Sequence, residues 1–156
     1  MQLFVLLIWL GLCAAQDARQ RRISNGLTLG AAALALVWLL CTGTTWLGAD
    51  AEQGGWACVI ALVLTLPGYW MGRMGAGDVK LMTALGLATN GLFVLGAFIG
   101  AGLVSLVWLL LAPRVWLHMS QRLTNRLRHL AQYSSKKLPF APFVLIGVLL
   151  ALPWVH

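Results

Sequence analysis

The chain has 156 residues, of which 60% are hydrophobic and 10% charged, and its formal net charge is +7. A soluble domain keeps roughly a quarter of its residues charged, so this composition excludes a protein that covers itself with a water-facing surface. A basic excess on a soluble protein would point to nucleic acid; in an apolar chain it orients helices across a bilayer instead, and no nucleic-acid partner is expected.

The apolar residues come in blocks. Runs such as LTLGAAALALVWLL, from Leu27 to Leu40, lack the alternation that a membrane β-strand keeps over about ten positions. Backbone polar groups in lipid must bond internally, which leaves helices. The expected fold is all-α: a polytopic membrane protein with one domain over residues 1–156.

A crossing takes about 20 apolar residues. The first candidate, Leu3 to Ala15, is short, and the segment after it carries Arg19, Arg21 and Arg22. Its small residues before Gln16 resemble a signal-peptide cleavage site. The segment ahead of it holds no lysine or arginine, however, and three arginines follow at once, so a retained helix is expected. A lipoprotein signal is disfavoured because Leu12 precedes Cys13. The second span runs from Gly26 to Leu47 and the third from Trp56 to Met71, with Asp50 and Glu52 between them. Arg73 and Lys80 follow. The fourth, Val79 to about Leu95, and the fifth, about Gly96 to Ala112, share one apolar stretch broken near Thr89 to Gly91. The segment Pro113 to Lys137 then carries Arg114, Arg122, Arg126, Arg128, Lys136 and Lys137, and the sixth span is Leu138 to Val155.

Six crossings with the N-terminus outside put all eleven lysines and arginines on one side, which the positive-inside rule makes cytoplasmic. Five crossings would send the six basic residues of the last loop outside. Within that loop Trp116, Met119, Leu123, Leu127 and Leu130 recur at helical steps. They predict an amphipathic helix between the fifth and sixth spans, lying on anionic head groups of the cytoplasmic leaflet. A docking surface for a partner protein is its second reading. Trp46, Trp56, Trp70 and Trp154 fall near span ends and read as interfacial anchors. The GxxxG at Gly96 to Gly100 reads as internal helix packing.

Cys13, Cys41 and Cys58 lie in apolar segments without a CxxC pair, and His118 and His129 are isolated, so no metal or disulfide is expected. GRMGAGDVK is no phosphate loop, since neither Ser nor Thr follows Lys80, and no cofactor is expected.

Two acids remain. Asp17 closes the first span and Asp78 opens the fourth, both at the cytoplasmic side. Asp50 and Glu52 lie across the membrane. Either acid alone has a bland reading: a loop carboxylate offsetting arginines, or a side chain favoured by a helix N-terminus. As a pair they share a proton, because two neighbouring carboxylates do not both ionise cheaply. One then takes a proton from water, and the other hydrogen-bonds a scissile carbonyl and passes a proton to the leaving amine. Gly75 and Gly77, without Cβ atoms, permit positive φ and the close approach of a substrate backbone.

GAGDVKLM, Gly75 to Met82, resembles the GxGDxKL signature of the type IV prepilin peptidases. DARQRRISN, Asp17 to Asn25, resembles that family's D-x-R…I-P-N segment, with Ser24 where proline is common. LPFAPF, Leu138 to Phe143, is similar to the proline-framed start of the family's last helix. The resemblance implies an aspartic endopeptidase with Asp17 and Asp78 as the catalytic pair, cutting a prepilin or pseudopilin leader at the cytoplasmic face of the bacterial inner membrane. The short chain lacks the cysteine-paired cytoplasmic N-methyltransferase domain of larger relatives and is more similar to the peptidases of Flp, or tight-adherence, pili. Presenilin-like proteases are a poorer match: Gln16, not tyrosine, precedes Asp17, and no PAL motif is present.

Arg19 and Lys80 read as anchors to lipid heads, with contact to a substrate carbonyl as the second reading for Lys80. Asn25 reads as the cap of the second helix. The functional alternative is a small proton-coupled transporter using the same aspartates as a relay; a non-catalytic secretion assembly factor is a third. Transporter sites gather near the midplane, whereas these acids lie at one face.

Overall fold

A computed structural model describes residues 1–20, 23–118 and 140–155. Among them are six helices, α1 (Gln2–Gln20), α2 (Asn25–Thr42), α3 (Ala51–Trp70), α4 (Ala76–Ala88), α5 (Gly91–His118) and α6 (Ala141–Val155). At one end, Trp46 donates its indole N–H to the carbonyl of Gln2 (3.1 Å). The Leu47 N–H reaches the carbonyl of Ala88 (3.1 Å). The start of α1, the α2–α3 connection and the end of α4 therefore meet there. At the other end, Lys80 bonds Asn25 and Ala141 bonds Asp17, which gathers the end of α1 and the starts of α2, α4 and α6.

The innermost helix is α4. Leu81, Met82 and Leu85 are fully buried, and the helix packs on α3 and α2. Its 13 residues span only about 20 Å, less than the ~30 Å hydrocarbon core. Glycine permits its contact with α3: a Cβ on Gly86 would stand 2.8 Å from the Ala57 carbonyl oxygen. The same device joins α5 to α6, where a Cβ on Gly100 would stand 2.5 Å from the Cα of Gly147. The second glycine of the GxxxG pattern is thus spent on packing within the chain. Buried hydroxyls bond back to their own helices, Thr28 to Ser24, Thr65 to Ala61 and Thr89 to Leu85, as a lipid surround demands. Where Trp9 donates to the Leu27 carbonyl (3.0 Å), α1 and α2 touch. Beyond it they part around an apolar cavity of about 560 Å³ floored by Ala84 and Ala88.

Three helical stretches, Gln2–Gln20, Asn25–Thr42 and Gly91–Leu111, are long and apolar enough to cross a membrane, and Ala141–Leu150 is a shorter apolar helix. The elements differ from expectation mainly at their ends. α1 continues past Ala15 to Gln20, so Asp17 is helical. α2 stops at Thr42 rather than Leu47, because Gly43 turns to φ 71; Trp46 and Leu47 pack on the core from the loop. α3 begins at Ala51 rather than Trp56. The fourth and fifth elements divide at Thr89 and Asn90, within the break expected from Thr89 to Gly91 and ahead of the approximate span limit at Leu95. There the Asn90 carboxamide oxygen accepts the Phe93 N–H (2.9 Å) and starts a new helix. α5 runs on through Pro113 to His118. The amphipathic segment beyond it, residues 119–139, lies outside the described residues.

Gly86→Ala is expected to lower stability by about 1–3 kcal/mol, because the α3 backbone must move to admit the methyl. Gly30→Ala, with nothing within 4 Å of the added carbon, is expected to leave stability unchanged or raise it by up to ~1 kcal/mol through helix propensity. Thermal unfolding in detergent micelles measures both.

Candidate active site

Asp17 is the last member of a buried stripe on α1, after Leu6, Leu10 and Cys13, at the three- and four-residue steps of one helical face. A carboxylate therefore occupies a core position, 6% exposed. It sits in the last turn of α1, where the helix dipole disfavours negative charge. The compensation comes from α6: the N–H of Ala141, the first residue of that helix, donates to Asp17 Oδ2 (3.0 Å). Pro142 follows and has no N–H of its own to satisfy.

Asp78 is partly buried in the first turn of α4, where the dipole favours it. Its Oδ2 accepts the N–H of Gly75 (2.9 Å). A side chain at position 75 would stand 3.3 Å from that oxygen. Both acids thus accept a backbone N–H at the start of a helix. Gly75 acts by space and not by positive φ: it has φ −83, and in this loop it is Gly72, at φ 68, that uses the left-handed region; a Cβ on Gly77 would make only ordinary van der Waals contact.

The segment between α1 and α2 joins the two acid-bearing helix ends. A Cβ on Gly77 would meet Ile23 at 3.6 Å, so α4 seats its first turn against Ile23, which is buried. Lys80 Nζ donates to Asn25 Oδ1 (2.9 Å). The Ser24 N–H donates to Gln16 Oε1 (3.1 Å). Asn25 is not the cap of α2. Ser24 holds that position, its Oγ accepting the Leu27 N–H (3.4 Å), and the Asn25 side chain is turned to Lys80 instead. Ser24 has φ −63, within the range that proline locks. The departure from the proline of the resembling pattern therefore keeps the backbone conformation and adds an N–H that proline lacks. Arg19 is exposed on the last turn of α1, where a cation complements the dipole.

Among the described residues no buried side-chain polar atom lacks a hydrogen-bond partner. In the same residues no group of three or more His, Cys, Asp or Glu is gathered. Among the described residues the site includes two acids, the backbone amides of Gly75 and Ala141, and one lysine–asparagine bond. Ala141 was not legible as part of it, although LPFAPF marked a helix start in its neighbourhood.

The arrangement defines a helical bundle with two acid groups at one end, one on each of two helices. A sequence model of the type IV leader peptidase family matches residues 4–113, a stretch that includes both aspartates, α1 from Phe4 onward and α2 to α4 entire. The chain belongs to that family. It is a membrane protein and a peptidase of the type IV leader class, with a prepilin as its substrate in general. Comparison with curated proteins gives no match, and comparison with solved structures gives none either. α6, whose first N–H holds Asp17, lies beyond the matched residues.

Ser24→Pro is expected to lower stability by about 1–2 kcal/mol. It loses the hydroxyl cap and the bond to Gln16, each worth roughly 1 kcal/mol, and recovers about half of one through chain stiffness. Thermal unfolding of Ser24→Pro beside Ser24→Ala separates the cap from the N–H.

Proposed function

We propose that this chain is an aspartic endopeptidase that removes the leader from Flp-type prepilins at the cytoplasmic face of the bacterial inner membrane, with Asp17 and Asp78 as the catalytic pair. The observation that carries the reading is the seating of the GAGD turn on the α1–α2 connection, through Gly77 at Ile23 and Lys80 at Asn25. It brings the start of α4 to the end of α1, and with them the two acids to one end of the bundle.

In the proposed cycle the ionised aspartate accepts a proton from water as the water oxygen attacks the scissile carbonyl carbon. The protonated aspartate donates a hydrogen bond to the carbonyl oxygen. The tetrahedral intermediate then collapses, the C–N bond breaks, and a proton passes to the amine of the mature pilin. Neither metal nor covalent nucleophile enters these steps. The backbone amides of Gly75 and Ala141 hold the acids in place.

The proposal includes six crossings with the N-terminus periplasmic and a membrane-embedded peptidase domain over residues 1–156. Its support is that the basic segments Gln16 to Asn25 and Gly72 to Lys80 share the acid end of the bundle. The start of α6 lies at the same end. The buried 13-residue α4 counts as a crossing through protein rather than through lipid. Anchoring of the segment after α5 to anionic lipid, and contact with pilus-assembly machinery, belong to the same proposal. A transporter relay is the weaker reading, because among the described residues the apolar side chains of Leu10, Leu81, Met82 and Leu85 fill the middle of the bundle.

Asp17→Asn and Asp78→Asn are each expected to lower leader removal at least ~100-fold, the scale of acid–base catalysis. Gel electrophoresis of a Flp-type prepilin incubated with each variant in proteoliposomes measures it. Wild-type processing by both folded variants would overturn the proposal.

A further inference from the structure

A series of contacts links the chain neighbours of the two acids. Gln16, adjacent to Asp17, accepts the Ser24 N–H (3.1 Å). Asn25, adjacent to Ser24, accepts from Lys80 (2.9 Å). Lys80 is two residues beyond Asp78 on α4, and Gly77, on the other flank of Asp78, sits on Ile23. Asp78 is thus bracketed by two contacts to residues 23–25, and residues 23–25 are tied back to the neighbour of Asp17.

We infer that the Lys80–Asn25 bond is a strut that sets the rotation of α4 about its own axis, and so the direction in which Asp78 faces Asp17. The inference rests on the proposed function, and it assigns Lys80 and Asn25 positioning roles instead of substrate contact or lipid anchoring. The geometry supports this. Two residues along a helix turn the side chain by about 200°, so Lys80 leaves the side of α4 away from Asp78 and holds the helix from behind. One contact, Gly77 on Ile23, leaves α4 free to roll about that point; a second contact three residues later removes the roll. Lys80 gives its hydrogen bond to a neutral amide. The strut therefore carries the strength of a charge-assisted bond while leaving both acids their own charge. A misplacement of reacting groups by about 1 Å costs up to ~100-fold in rate, so a bond near the surface, with little weight in overall stability, carries weight in turnover.

The test combines kinetics with a measurement that needs no activity. Leader removal from a Flp-type prepilin is followed in proteoliposomes for Lys80→Met, Asn25→Ala, their double variant and Asn25→Asp. The expected result is a fall in kcat of roughly 10- to 100-fold for each single variant, with KM within about twofold. The double variant is expected to be no worse than the poorer single one. Asn25→Asp, which restores an acceptor for Lys80, is expected to return most of the activity. In parallel, Asp17→Cys and Asp78→Cys are combined in a chain whose three native cysteines are replaced by alanine. Bridging by a short bifunctional thiol reagent is then timed with and without Lys80→Met. Bridging is expected to slow several-fold when the strut is cut. Unchanged bridging, a loss confined to KM, or additive losses in the double variant would each overturn the strut. If the wild type leaves the prepilin uncut, the proposed function falls, and the bridging rates still decide whether the strut sets the separation.

Discussion

A short helix enclosed by other helices must have both its ends met by protein, and that constraint organises this molecule. α4 cannot hand its orphan N–H and C=O groups to water across the bundle. At its start Asp78 takes the Gly75 N–H. At its end the Ala88 carbonyl takes the Leu47 N–H from the α2–α3 connection. The turn from Thr44 to Asp50 is folded for this task, with Gly43 and Gly48 at positive φ and Thr45 buried and bonded to Ala49. The acid that opens α4 is therefore structural as well as chemical: it caps the first turn of the helix through the Gly75 N–H.

Asp17 has the complementary problem. It lies at the end of α1, where backbone carbonyls point, and within the buried stripe of that helix. An amide from the start of α6 answers it. Helices remote in sequence are thereby linked through the site, α1 to α6 by a carboxylate and α2 to α4 by lysine and asparagine. The close α5–α6 contact at Gly100 and Gly147 holds the start of α6 where Asp17 needs it. Packing in the middle of the bundle and electrostatics at its end are in this way one system: a methyl group at Gly147 would push on the helix whose first N–H steadies an acid.

Much of this was legible in the sequence. Blocks of apolar residues gave the helices, and the clustering of basic residues assigned the two acids to one side. GAGD with a downstream lysine, together with the upstream Asp17, singled out the residues that the fold brings to one end. What was hidden had physical causes. Leu47 read as a span residue because it is apolar, yet it lies in a turn that packs on the core, while the break expected near Thr89 is sealed by that threonine's own back-bond. Asn25 read as a cap because asparagine is a good one. Ser24 takes that place, and only the spatial neighbour Lys80, 55 residues away, explains what Asn25 does. Ala141 carries no side-chain chemistry, so its amide was invisible as a ligand of Asp17.

The central claim is that both acids lie at the same end of the bundle and face the same compartment. Side-specific labelling with a membrane-impermeant maleimide tests it most directly, using single cysteines at Arg19, Ala76 and Gln53, each exposed, in inverted and right-side-out vesicles of a chain lacking its native cysteines. The account predicts that the cysteines at 19 and 76 react only in inverted vesicles and the one at 53 only in right-side-out vesicles. Labelling of positions 19 and 76 from opposite sides would contradict it, since no motion within the bundle then brings Asp17 and Asp78 to one substrate.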